Sequence, residues 1–548
     1  MTVPYLNMAA PSTDYTPHMT VQNWLTRAAA DVEARGLPEL RPLLESLAGA
    51  LTRLREADWN ADASADLSPS AAEDEAAGGE GRETQPASPA ASVAAPPAST
   101  VPSIRTWARR LRAREISARE LLAETLAHLE RQQPALNAFI TVTRDLAEAQ
   151  AREADEVLAR GEAPSLLLGL PLSLKDLIDV AGVPTTAASR LRASSHARAD
   201  APVVSRLKAA GAVIVGKCNL HEFAFGTTNE DSAWGPARHP LDPSRSPGGS
   251  SGGSAVAVAT GASLASIGTD TGGSIRIPSA ACGLVGLKPT WGSVPMHGVV
   301  PLAASLDHVG PLARSVDDAA IVFDALRGYP HHTEQPIGHD LTPGALRIGV
   351  PRAYFFEVLA DEVRATIERA LTGLREAGAT LEVVDLPHAP LTAPVYLATV
   401  LAEAAAYHAA TLERRPDAYT PPVRLRLEMC RYVTAEDYLR AQAGRRVLRA
   451  EVEAALRGRH ALLLPTLPIA APPLGQATVP VGATEDSVRN LTLRLTQLFN
   501  LTGHPAVSVP CGTTPAGLPV GAQFVGRLRQ TRDLLRVAGC CERVWGAT

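Results

Sequence analysis

From residue 165 onward, short apolar runs alternate with segments of helical periodicity, which restricts the chain to an α/β fold with a buried sheet. LLLGLPLSL (166–174) reads as a strand, VVSRLKAAG (203–211) as a helix stopped by glycine, and AVIVG (212–216) as another strand. SAVAVATGASLASIG (254–268) is a small-residue helix or helix–strand unit. LRIGVP (346–351), a helix near 361–377, LEVVDLP (381–387) and AVSVPCG (506–512) continue the scheme, and residues 390–458 read as mostly helical.

Ahead of this region the pattern differs. Residues 20–58 read as two amphipathic helices turning at Gly36-Leu37-Pro38; in the second, Leu40, Leu43, Leu44, Leu47, Leu51 and Leu54 recur at helical spacing. Two such helices bury little alone, so they need a surface to dock on. Residues 60–102 turn to Ala, Ser, Pro, Glu and Gly with almost no large apolar residue, the composition of a disordered linker. Helical structure restarts over 116–133, with Ser117 placed as an N-cap. The expected division is a helical hairpin segment over 1–59, a linker over 60–102, and one large domain over 103–548.

Composition narrows the partners. A formal net charge of -5 and no basic runs argue against nucleic acid. No apolar stretch reaches the roughly 18 residues of a membrane span, so no membrane partner is expected. The first twenty residues lack a charged n-region and an apolar h-region, and a cytoplasmic protein is expected. The six cysteines form no CxxC pair and read as reduced, mostly buried thiols. Only four of the 52 basic residues are lysines: Lys175, Lys208, Lys217 and Lys288. In so arginine-rich a chain, a retained lysine is a candidate for work that needs a removable proton, because burial can neutralise an ammonium but not a guanidinium.

Three motifs fail on inspection. Residues 211–217 fit G-x-x-x-x-G-K, but Cys218 stands where a magnesium-holding hydroxyl belongs, and AVIV is strand-like rather than a phosphate cradle. His221-Glu222 begins like a zinc H-E-x-x-H, yet position 225 is Phe. Residues 248–252 fit G-x-S-x-G, but HPLDPSRSP before them is no hydrophobic strand, so a nucleophile elbow has no context.

The segment that carries chemistry is 247–290, PGGSSGGSAVAVATGASLASIGTDTGGSIRIPSAACGLVGLKPT. Glycines at 248, 249, 252, 253, 272 and 273 bracket Ser250, Ser251 and Ser274. Around Gly272, Gly273 and Ser274 this suits N–H groups converging on one spot, the geometry of an oxyanion hole. The apolar stretches within and after these clusters argue against a solvated linker.

This segment resembles the amidase signature, nearly continuously over more than forty residues. GLPLSLKDLIDVAGVPTT (169–186), GKCNLHEFAFGTTNE (216–230), SLDHVGPLARSVDDAA (305–320), NLTGHPAVSVPCG (500–512) and LPVGAQFVG (518–526) extend the resemblance to about residues 103–548. It implies one catalytic α/β domain over 103–548, with a mixed, twisted central sheet covered by helices on both faces and the N-terminal helical segment outside it. It places the family's lysine on Lys175, its bridging serine on Ser250, its nucleophile on Ser274, its oxyanion-hole amides on Thr271, Gly272, Gly273 and Ser274, and its cis peptide at Gly249–Ser250. Ser251 is a supporting candidate, and Asp270 and Arg276 are expected to form an ion pair that fixes the loop. A buried Lys175 would act as base, Ser250 would relay the proton, and Ser274 would attack the amide carbonyl. No cofactor or metal is implied.

The expected function is hydrolysis of carboxylic amide C–N bonds through an acyl-enzyme, with a small-molecule amide as substrate. The alternatives are the glutaminase (A-type) subunit of a tRNA-dependent amidotransferase, a carbamate- or biuret-type amide hydrolase, and a non-catalytic scaffold. A homodimer is expected, with the N-terminal helices as a docking or dimerisation element; they resemble small subunits that accompany amidases of s-triazine or biuret breakdown.

Overall fold

A computed structural model of the chain describes residues 19–57, 59, 101–329, 335–482 and 484–546. The expected linker therefore lies outside the described residues, apart from 101 and 102. The strands described are β1 (Phe139–Val142), β2 (Pro171–Lys175), β3 (Val213–Cys218), β4 (Ala265–Asp270), β5 (Val285–Lys288), β6 (His308–Ala313), β7 (Arg347–Pro351), β8 (Thr380–Val384), β9 (Ala461–Pro465), β10 (Thr478–Val481), β11 (Thr484–Ser487), β12 (Ala506–Thr513) and β13 (Pro519–Val525). Eleven of them form one sheet in the order β1-β3-β2-β4-β6-β5-β12-β13-β9-β7-β8, and β10 and β11 pair separately.

The sheet is mixed. β3, β2 and β4 run parallel, as do β9, β7 and β8, while β4 to β9 are joined through antiparallel pairs. Strands β2 to β6 are buried at every position, as expected for strands inside a helix-covered sheet. The fold is the α/β architecture expected, a large mixed sheet flanked by helices.

Local chemistry explains the helix starts. Ser117 and Glu120 form a reciprocal capping box on the helix Ala118–Leu136. The helix Pro202–Ala209 is followed by Gly211 at a φ of +79°, where the chain reverses into β3. The unit 254–268 resolves into a helix, Gly252–Ala259, and β4. The run 166–174 is shorter than a full strand: only Pro171–Lys175 pairs, and residues 166–169 turn toward it.

The N-terminal hairpin consists of helices Val21–Ala34 and Arg41–Glu56. Leu44, Leu47, Leu51 and Leu54 are buried, and their helix packs on Thr392–Arg414 and Ala435–Leu456 of the same chain. Polar contacts set the register. The Trp24 indole N–H donates to the Tyr432 carbonyl (2.9 Å), and the Arg55 guanidinium forks onto Asp437 (2.7 and 3.0 Å). The hairpin thus shares the large core rather than standing apart. Truncating Leu51 to alanine is expected to destabilise the protein by about 2–5 kcal/mol, read as a lower urea midpoint at unchanged slope.

One expectation from composition needs correction. By length and composition alone, the helical stretch Ala389–Arg414 is apolar enough to cross a membrane. Its apolarity goes into packing: more than half of its most apolar part is buried inside the protein, and the helix packs against the hairpin and the helix Ala435–Leu456. Ala and Leu spread along one sequence do not announce which face a neighbouring helix will cover.

Candidate active site

Strands β2 and β4 are parallel neighbours, with Leu174 opposite Ile267, so their C-terminal ends lie side by side. In open α/β sheets such ends are where ligand sites form. Lys175 is the last residue of β2, and Thr269 and Asp270 end β4. Ser250 and Ser251 stand in the loop before the helix Gly252–Ala259, and Ser274 in the turn between β4 and the helix Arg276–Ala281. The Ser251 N–H donates to the Ser274 carbonyl (3.2 Å), tying the two serine-bearing loops together, and the Gly249–Ser250 peptide is cis.

Lys175 is fully buried. Its Nζ lies 2.7 Å from the Ser250 hydroxyl and 2.8 Å from that of Thr269, with no carboxylate within ion-pair distance among the described residues. Burial pulls its pKa down to about 7, and the charges of Asp270 and Asp307 limit the fall. An amine poised there can hold or release a proton near neutral pH.

The turn that follows is held on its outer side. The Thr271 hydroxyl donates to Asp307 (2.6 Å), and the Gly272 carbonyl accepts from the Thr496 hydroxyl (2.5 Å). Gly273 sits at a φ of +141°, and a side chain there would strike Thr496 and Ile277. The N–H groups of Thr271, Gly272, Gly273 and Ser274 donate to no other described residue, which leaves them available to a ligand oxygen.

Behind the turn, Asp270 and Arg276 form a fully buried two-pronged pair (2.9 and 3.0 Å). Burial pushes the Asp270 carboxyl up, but the Arg276 charge and hydrogen bonds prevail and hold it well below the usual range. Asn500 donates to Asp270 (2.8 Å), and Arg276 donates to Gln523 (2.6 Å), Asn500 (2.6 Å) and the Thr496 carbonyl (2.9 Å). Asp270 also accepts the Ile275 N–H (3.1 Å), next to Ser274. Removing one partner of such a pair strands a buried charge, so Arg276→Leu is expected to destabilise the fold by about 3–5 kcal/mol. Chemical denaturation of the variant checks this. Ser251 donates to the Thr269 carbonyl (3.2 Å), bracing the strand end that carries the hydroxyl facing Lys175.

The structure brings together Lys175, Ser250, Ser251, the 271–274 turn, Asp270 and Arg276. It sends the other lysines elsewhere. Lys217 pairs with buried Asp176 (2.8 Å), Lys288 donates to the carbonyls of His504 (2.6 Å) and Pro289 (3.1 Å), and Lys208 pairs with Asp200 (2.7 Å). Of the three rejected motifs, 211–217 runs into β3, His221 pairs with Asp231 (3.0 Å), and the segment before Ser250 forms no strand. Among the described residues no cluster of His, Cys, Asp or Glu could hold a metal, and all six cysteines are free thiols.

Several residues that shape the site carried no role in the sequence. Thr269, Asp307, Thr496, Asn500 and Gln523 contact it from β4, the 307 loop, the 496–500 segment and β13. Asp307 and Asn500 lie inside blocks singled out for their resemblance, but nothing in a linear block says which side chain turns inward.

Comparison with known proteins agrees with this fold. Residues 120–535 match the Amidase family. The chain is 42% identical over 473 residues to the A-type subunit of a Glutamyl-tRNA(Gln) amidotransferase from Anaeromyxobacter sp. (strain K), covering 79% of this chain and 94% of that protein. A crystal structure of an amidase superposes with a TM-score of 0.75 at 39% identity, covering 80% of this chain and 99% of the other. A vestigial protein complex that bears on the origins of an s-triazine catabolic enzyme also superposes with a TM-score of 0.75, at 36% identity and 80% and 98% coverage. The chain belongs to the amidase family and is an amidase-signature hydrolase.

Proposed function

We propose that this protein hydrolyses small carboxylic amides through an acyl-enzyme formed on Ser274. The observation that carries this reading is the buried Lys175 amine, 2.7 Å from the Ser250 hydroxyl and free of any ion pair among the described residues. The neutral amine accepts the Ser250 proton as Ser250 takes the proton of Ser274, and Ser274 Oγ attacks the amide carbonyl. The unpaired N–H groups of 271–274 hold the developing oxyanion, each such donor contributing about 3–4 kcal/mol. The proton then returns through Ser250 to the leaving nitrogen, the C–N bond breaks, and water releases the acid by the same route. Ser251, Asp270 and Arg276 position the loops without touching substrate.

A fluorophosphonate, which phosphonylates activated serines, tests the assignment. Mass spectrometry is expected to place one adduct on Ser274 in the wild type and none in Ser274→Ala. An adduct on another serine moves the nucleophile. An amide, ester and carbamate panel on the same two proteins then defines the bond cleaved, esters and carbamates being open to the same acyl-enzyme chemistry.

A second reading, the glutaminase component of a tRNA-dependent amidotransferase, is favoured by the 42% identity to the Anaeromyxobacter protein. It requires ammonia release from glutamine that rises sharply when partner proteins are added; hydrolysis of simple amides by the free chain alone would overturn it.

A further inference from the structure

Beside the 271–274 turn, one guanidinium has no hydrogen bond or ion pair among the described residues. The short helix Val488–Arg494 packs against Gly272, with Leu493 Cδ2 only 3.1 Å from where a Cβ on Gly272 would stand. Arg489, one turn earlier, shares that helix face. Its guanidinium carbon lies 5.6 Å from the centre of the buried Phe225 ring, and it makes no hydrogen bond or ion pair with any described residue.

The acids nearby are already engaged. Asp231 is held by Arg426 (3.2 Å) and His221 (3.0 Å), and Glu222 accepts from the Thr420 N–H (2.7 Å) and hydroxyl (2.6 Å). Burial and the neighbouring Arg426 charge pull the Arg489 pKa down to about 10, so it remains a cation at neutral pH. Tyr396 lies close to both Arg489 and the turn. It is 95% buried, its hydroxyl points at Gly272, and that hydroxyl also has no hydrogen-bond partner among the described residues. The His221 N–H donates to the Ser250 carbonyl (3.1 Å), so the segment carrying Phe225 borders both the proton-relay serine and Arg489.

A half-buried cation with no hydrogen bond or ion pair among the described residues is a costly arrangement unless something fills the place. We propose that Arg489 binds a carboxylate on the non-reacting end of the amide substrate, making this enzyme selective for anionic amides. This rests on the reading of Ser274 and the 271–274 turn as the reaction centre and adds the substrate class. The guanidinium fork and the Tyr396 hydroxyl provide a two-pronged seat plus a further donor on the side of the turn that Leu493 and Tyr396 approach.

The test uses matched pairs, malonamate, succinamate and glutaramate, each against its neutral methyl ester, assayed for release of ammonia from the amide. For at least one length, the wild type is expected to show a kcat/KM at least tenfold higher for the carboxylate, carried by KM, the discrimination a charged hydrogen bond confers. In Arg489→Leu that ratio is expected to fall to near one, with Arg489→Lys restoring part of it. A wild type that handles the neutral esters as well as the carboxylates, or an Arg489→Leu protein with the ratio intact, overturns the proposal.

Binding provides a second arm that needs no turnover. On full-length Ser274→Ala, one or more of the three carboxylates is expected to raise the unfolding midpoint, and adding Arg489→Leu is expected to abolish the rise. No rise with any of them sinks the proposal. A rise that depends on Arg489, in a wild type that hydrolyses no amide, upholds this seat and refutes the proposed hydrolysis.

Discussion

Ser274→Ala is expected to reduce kcat on any amide substrate by on the order of 10⁴–10⁶-fold, while the protein folds with an almost unchanged unfolding midpoint. The two halves of that result have separate causes. Ser274 is nearly buried in a turn whose backbone is held by Thr496, Asp307 and Asp270, and its own hydroxyl bears none of those contacts. Losing it removes a small polar group but leaves the turn in place. The chemistry loses the atom that forms the bond, and the oxyanion donors alone supply only the residual rate over water. Steady-state kinetics beside thermal unfolding reads both. Activity within tenfold of wild type would place the nucleophile on another residue.

Lys175→Met is expected to abolish activity and also to change how stability depends on pH. The Lys175 pKa is about 7 in the folded protein and near 10.5 when unfolded. Below pH 7 both states hold the proton, and the folded state bears the full penalty of a buried ammonium. Between pH 7 and 10.5 the unfolded chain keeps the proton that the native protein has released, so native stability rises with pH. The methionine variant lacks this gain. Relative to Lys175→Met, the wild type is therefore expected to gain roughly 2–3 kcal/mol of unfolding free energy between pH 7 and pH 9. Urea titrations of both proteins at the two pH values measure it, and parallel curves would mean the amine keeps its proton throughout. The same ionisation sets the rate profile. kcat/KM is expected to rise as pH increases through about 7, because only the neutral amine can accept the serine proton.

The Asp307 carboxylate ties these effects to the turn. Burial lifts its pKa to about 6, and it receives the Thr271 hydroxyl and the N–H groups of Leu302 and Ala303. Its charge supports the protonated form of Lys175. Asp307→Asn is thus expected to move the acidic limb of the rate profile to lower pH.

The sequence alone was informative where chemistry is local. The α/β class follows from apolar runs alternating with helical periodicity, and the capping box at Ser117 marks its helix because both partners lie within one turn. The N-terminal leucines announced a buried helix face, but not that helices far along the chain would cover it. Several strands had no strand-like signature of their own. β5 (VGLK) and β6 (HVGPLA) carry Gly, Lys, His and Pro, and their places inside the sheet come from the partners on either side rather than from propensity.

At the site, the scarcity of lysine in an arginine-rich chain made Lys175 a candidate but could not separate it from Lys217 and Lys288, which are as deeply buried. What separates them is the company each keeps: an aspartate for Lys217, backbone carbonyls and the His308 ring for Lys288, and two hydroxyls for Lys175. The glycine clusters indicated where the backbone approaches a ligand, because only glycine tolerates the φ of Gly273 without strain. The sequence by itself determined the architecture class and the segments that bear reactive groups, since composition and spacing act within a few residues. Tertiary structure alone decided which buried amine faces the serine hydroxyl, which N–H groups stay unpaired among the described residues and where Arg489 stands. Burial and electrostatic balance are sums over neighbours that meet only after the chain has folded.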